Sequence, residues 1–311
     1  MSFEFVIPKV VDPTGVDAAA HARPMDVFND QDREKKVIET EGDPITDFYG
    51  GSNPYIDYES IDLLLSLQHP RSDGYDEMCF IIMGQAKELL FKSLYYELYN
   101  LQLRIKDDDI ANAFVILDRC KKILTLIINV WEVLSTIKTD GFNKFRDYLS
   151  VASGQLSFMY RHIEFILGNK NKKMCDAHSN VPHVYPALLK NFNSASLYDD
   201  VIGLLHRNCY EVADECLDRD WSEKYKIHKS VEQAWLKVYS DPTPENELYM
   251  LGEGLTEIAD IFSQYRHRHF VSVERILGFK PGTGGSAGVG WLKQAVDHRF
   301  FPELWTIRTE L

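Results

Sequence analysis

A histidine set into an apolar helical stripe is the first residue of this chain with chemistry to offer. Leu251, Leu255, Ile258, Phe262 and Tyr265 recur at alternating steps of four and three, and the next step reaches His269, followed by Val273 or Ile276. The imidazole therefore belongs on the core face of its helix. A histidine there is either a core residue satisfied by a neighbour, the commoner case, or a ligand to a metal or haem iron held out into an apolar cavity. His267 lies two residues away and points to another face, so a zinc shared by the pair is not indicated.

Three other segments carry chemistry. Phe142, Arg146 and Leu149 share one helical face, and an arginine flanked by apolar residues needs an anion: ordinarily a structural Asp or Glu, more specifically a substrate carboxylate. The run Gly282-Thr283-Gly284-Gly285-Ser286-Ala287-Gly288-Val289-Gly290 lacks the Gly-Lys-Ser/Thr or strand-helix setting of a phosphate cradle. It suits either a plain surface loop or one that closes over a small ligand. Gly84 interrupts the stripe of Phe80, Glu88 and Phe91, where glycine costs about 1 kcal/mol relative to alanine. Close helix packing or open space above a cofactor accounts for such a glycine.

Long amphipathic helices must position these residues. Apolar periodicity predicts helices over 80–104 and 113–137, with Phe114, Leu117, Leu124, Ile127, Trp131 and Leu134 along one face of the second. A third follows Ser153 and stops near Gly168-Asn169; 170–198 reads as a connection, and shorter helices fit 199–217 and 228–240. Thr243-Pro244-Glu245 resembles a helix start, and the helix carrying His269 runs to Leu277 with Gly278 as its stop. No stretch alternates with period two. The fold expected is all-α, one domain over 51–311 behind an irregular arm over 1–50.

Composition narrows the partners. The 311 residues are 45% apolar and 12% aromatic, enough to bury a large core. Acids outnumber bases 47 to 34, a net charge of −13 that argues against nucleic acid or an anionic membrane as the main partner. The five cysteines are odd in number and scattered without a C-x-x-C pair, the N-terminus lacks a signal-peptide pattern, and no apolar run approaches the roughly 20 residues of a membrane span. A reducing cytoplasm is the expected compartment.

From about Tyr55 onward the chain resembles the tryptophan 2,3-dioxygenase family. The resemblance rests on Tyr55-Ile56-Asp57-Tyr58, Asp76-Glu77-Met78 before Phe80, Gln85 to Leu89, Phe145-Arg146-Asp147-Tyr148-Leu149 and Ala152-Ser153-Gly154. It is strongest at the end: Arg268-His269, Val273-Glu274-Arg275, Gly278-Phe279-Lys280, Gly282 to Gly285 and Phe300-Phe301-Pro302-Glu303-Leu304-Trp305. It implies the helical bundle of that family, with haem b as cofactor, His269 as the proximal ligand and dioxygen as co-substrate. It implies that Arg146 pairs with the substrate carboxylate, that Thr283 lies by its ammonium, and that Phe80, Phe142, Leu149 and Ser153 line the indole and haem pocket. Gly84 and Ser153 fall among its catalytic positions. Tyr55 and Tyr58 are implied to reach a neighbouring subunit's site in a homotetramer.

The chain departs from the family on one side of that pocket. The family's distal histidine stands where this chain has Gly84, its Ser-Gly-Phe-Gln-Ser becomes Ser153-Gly154-Gln155-Leu156-Ser157, and its Glu-Leu-Trp becomes Glu88-Leu89-Leu90. Oxygenation of indole does not require a protein base at the indole N–H, so activity is expected to survive. Three functions follow: dioxygenation of L-tryptophan with C2–C3 cleavage to N-formylkynurenine, favoured here; mono-oxygenation of tryptophan or β-methyltryptophan to a 2-oxindole or hydroxylated product; and a non-catalytic haem or tryptophan sensor.

Overall fold

The computed structural model describes residues 23, 25, 27–46 and 53–311, without the side chain of Gln294. Much of the arm expected over 1–50 lies outside the described residues. Two compact units divide the chain, one within Asp12–His69 and the other spanning Pro70–Leu311. Among the described residues all regular structure is helical, and no helix is long and apolar enough to cross a membrane.

The smaller unit holds α1 (Asp30–Glu39), α2 (Pro54–Glu59) and α3 (Ile61–Leu65). α1 corrects the expectation of an irregular arm. A capping box starts it: Asn29 Oδ1 accepts from the Asp32 N–H at 3.1 Å, and Asp32 Oδ2 accepts from the Asn29 N–H at 3.2 Å. Val37 and Ile38 are its only large apolar residues and none of its side chains is buried, so no apolar period announced it. In α2, Asn53 caps the first turn and Pro54 opens it, while Arg23 bridges Asp57 and Asp62 at 2.7 and 2.6 Å.

The larger unit is built on three long helices. α4 (Tyr75–Lys106) and α5 (Ile110–Leu134) are joined by a tight turn with Asp108 at φ 56°, and α13 (Glu247–Leu277) packs against α5. Between them run α6 (Thr139–Phe145), two 3₁₀ turns (Arg146–Leu149 and Gly154–Leu156), α7 (Phe158–Ile166), α8 (Lys172–Asp176), α9 (Tyr185–Phe192), α10 (Leu197–Arg207), α11 (Asp214–Leu217) and α12 (Lys229–Tyr239). α14 (Val289–Val296) and α15 (Pro302–Thr306) follow. Leu94, Leu98 and Leu101 of α4, Ile116, Leu124 and Ile127 of α5, and Leu251, Leu255 and Phe262 of α13 form the fully enclosed centre. Such residues contribute about 1.5–3 kcal/mol each on burial, and this centre fixes the axes that carry the site.

Two differences from the sequence reading have local causes. Asn246, not Thr243, caps α13: its Oδ1 accepts from the Tyr249 N–H at 3.2 Å, and its amide donates to the carbonyls of Val238 and Asp241 at 2.9 Å each. One side chain thus starts α13 and ties off α12, and Thr243-Pro244 becomes a turn. The connection over 170–198 contains α8 and α9, whose small core of Phe165, Cys175, Leu188 and Phe192 is separate from the main one.

Candidate active site

α4, α5 and α13 line a cavity of about 420 Å³ together with the segment through Ser153 and the glycine-rich loop through Thr283. Seven of the ten expected ligand, substrate-binding and catalytic residues line it: Phe80, Gly84, Phe142, Leu149, Ser153, Thr283 and His269. Phe80, Phe142 and Phe145 pack mutually with ring centroids 5.0–6.0 Å apart, giving one wall a fixed aromatic surface. A Cβ added to Gly84 meets nothing within 4 Å, so this glycine serves no close helix packing; it widens the cavity.

His269 stands on the opposing helix. Its ring stacks on Trp131 of α5, centroids 4.2 Å apart and planes 17° from parallel, with Tyr265 one turn earlier at 6.4 Å. Desolvation, and then the nearby charge of Lys87, push its pKa down to about 3. The imidazole is therefore neutral at physiological pH, the form that ligates metal. His267 is exposed on the outer face, as its offset requires. Among the described residues no group of three His, Cys, Asp or Glu is placed to share a metal ion. A prosthetic group that brought its own iron would need only one such ligand, and His269 is the residue that would hold it.

Arg146 and Thr283 organise the loops at the mouth. Arg146 follows α6 in a 3₁₀ turn and does not continue a helix; its Nη2 donates to the Pro281 carbonyl at 2.7 Å. Thr283 Oγ1 donates to the Ala152 carbonyl at 2.7 Å. Gly284 lies so close to Ser153 that a Cβ there would sit 2.8 Å from the serine Cβ, which is why this position takes glycine. Arg146 is not among the lining residues, although Pro281, which it holds, directly precedes the lining residue Gly282. Tyr55 and Tyr58 belong to α2 in the smaller unit, 63% and 79% exposed.

Sequence spacing missed the charges in the cavity wall. Glu164 of α7 pairs with Arg161 on its own helix and with Arg266 Nη2 of α13 at 3.1 Å; Arg266 Nε also donates to Tyr160 Oη at 3.3 Å. All three charged side chains are about 95% buried or more by residue, and the trio carries one net positive charge. Lys87, one turn after Gly84 on α4, adds an ammonium 4.5 Å from the Trp131 ring centroid. Desolvation lowers its pKa to about 8 against the opposing pull of Glu88, so it remains largely protonated at neutral pH. The i,i+3 spacing of Arg161 and Glu164 was the one visible signal; the link to Arg266 spans 102 residues.

Comparison with known proteins gives the family. The family model described as Tryptophan 2,3-dioxygenase matches residues 39–189 and 186–311. Tryptophan 2,3-dioxygenase of Burkholderia pseudomallei (strain K96243) is 43% identical over 263 residues, 85% of this chain and 86% of that protein. The protein of the same name from Burkholderia mallei (strain ATCC 23344) is 42% identical over the same span and shares. A match that runs through the larger unit to residue 311, and so includes the helix and loop that carry His269 and Thr283, means that this chain belongs to the tryptophan 2,3-dioxygenase family of oxidoreductases.

Proposed function

We propose that the chain is a haem b-dependent dioxygenase that uses dioxygen to cleave the C2–C3 bond of L-tryptophan, giving N-formylkynurenine. The observation that carries this is a lone neutral imidazole, His269, on the wall of a predominantly apolar cavity in a chain of this family. Bound haem supplies the iron at which dioxygen is activated. The chain's own residues do the rest. Phe80, Phe142 and Leu149 offer the flat apolar surface an indole needs, and Ser153 sits where the loop closes over it. The Arg146 fork has five N–H donors and gives one to Pro281, leaving others for an α-carboxylate. Thr283 spends its proton on Ala152, so its oxygen keeps lone pairs to accept from the substrate ammonium.

The exposure of Tyr55 and Tyr58 supports a role in a neighbouring subunit's site within a homotetramer, and sedimentation as a monomer would remove that role. The cytoplasm suits the five free cysteines.

The reading is tested by supplying reduced, haem-loaded protein with L-tryptophan and isotopically labelled dioxygen. A ring-opened product carrying both labelled atoms is expected. The space at Gly84 favours a second reading, a tryptophan with an added methyl group, so 1-methyl- and β-methyltryptophan belong in the same assay. One labelled oxygen in an intact oxindole would establish mono-oxygenation instead, and tight tryptophan binding without turnover a sensor.

Substrate recognition is checked separately. Arg146→Leu is expected to weaken L-tryptophan by about 1.5–3 kcal/mol while leaving tryptamine, which lacks the carboxylate, nearly unaffected. Equal losses for the two ligands would make Arg146 a loop tie to Pro281 and nothing more.

A further inference from the structure

Lys87 is an ammonium inside the cavity for which neither the fold nor the roles described above has a use. It projects from the same face of α4 as Gly84, one turn further on, and both line the cavity. Among the described residues its ammonium makes no hydrogen bond or ion pair and lies over the face of Trp131, the indole that also stacks on His269. Glu88 is adjacent in sequence, and side chains at consecutive helical positions do not face each other; it acts on Lys87 only through space. An enclosed ammonium with aromatic contact alone lacks the anionic partner that buried charges ordinarily have.

The surroundings reinforce the imbalance. Arg161 and Arg266 share the single carboxylate of Glu164, and with Lys87 and Glu88 the lining carries three cations against two carboxylates. An empty volume lies at Gly84, within one helical turn of the lysine. We propose that Lys87 is a binding residue that holds an anionic group inside this cavity. The group is either a carboxylate of the prosthetic group or a small anion bound beside the site of His269. The inference rests on the haem reading above and deepens it.

The test compares wild type, Lys87→Met, which keeps the length without the charge, and Lys87→Arg, which keeps the charge. Apoprotein is titrated with haem b and with haem dimethyl ester, which has no free carboxylate; the ferric haem proteins are then titrated with fluoride, followed by absorbance. Removing one charge-assisted contact weakens binding by about tenfold or more. If the carboxylate is the partner, Lys87→Met loses the wild-type preference for haem b over the ester, and Lys87→Arg keeps it. If a small anion is the partner, that preference is unchanged and fluoride weakens about tenfold in Lys87→Met alone. Haem-loaded variants identical to wild type in both titrations would overturn the proposal while leaving the haem reading standing. A wild-type chain that takes up no haem would overturn both.

Discussion

His269→Ala is expected to abolish tight haem uptake while the helical circular dichroism stays close to that of the parent. The imidazole lies on the cavity wall, stacked on Trp131, and takes no part in the enclosed centre formed by α4, α5 and α13. Its loss therefore enlarges an existing space and does not open a new hole in the core. His269→Gly supplies the complementary measurement, since free imidazole diffusing into the vacated space should restore a histidine-like haem spectrum. His267→Ala, on the exposed face of the same helix, is expected to behave as wild type. Full haem occupancy with an unchanged spectrum in His269→Ala would place the ligand elsewhere.

The position of His269 was legible because it depends on one helix. Steps of three and four along α13 put His269 in line with Leu251 through Tyr265, and those residues are buried while His269 faces the cavity. The long helices were legible for the same reason: α4 runs a few residues beyond both ends of the predicted segment, and α5 begins and ends three residues earlier than predicted. Where local hydrogen bonds compete with apolar period, the reading failed. Asn246 displaced Thr243 as the cap of α13, and the capping box of α1 made a helix with almost no apolar residues. Phe142, Arg146 and Leu149 were read as one helical face, but α6 ends at Phe145 and the arginine turns toward Pro281.

What joins distant segments was not legible. Trp131 reads as one more apolar position on α5, and nothing in its spacing says that it stacks on His269 and carries Lys87 on its indole. Gly84 had two explanations until the space around it could be measured, because a helix-packing glycine and a cavity glycine look alike in sequence. The arginine-glutamate trio is the clearest case: Arg161 and Glu164 look like a surface i,i+3 pair, and only the fold brings Arg266 to the same carboxylate.

That trio carries the second large prediction, a loss of stability. Glu164 accepts from Arg161, from Arg266 at 3.1 Å and from the Asn169 amide at 3.1 Å, and both arginines are buried with it. Glu164→Gln keeps the volume but removes the only negative charge in the trio, leaving two buried guanidiniums facing an amide. Breaking a buried pair in this way costs about 3–5 kcal/mol, because the remaining charge stays desolvated without compensation. The expected result is a lower urea midpoint with an unchanged m-value, seen alike by fluorescence and circular dichroism. Glu164→Asp retains the charge on a shorter stem and should lose less. Replacing all three charged groups by apolar residues should recover much of the Glu164→Gln loss, since the pairing and the desolvation roughly cancel in an intact network. A Glu164→Gln protein within about 0.5 kcal/mol of the parent, the range of ordinary surface changes, would show that water reaches these guanidiniums and that α7 and α13 are held together by apolar packing alone.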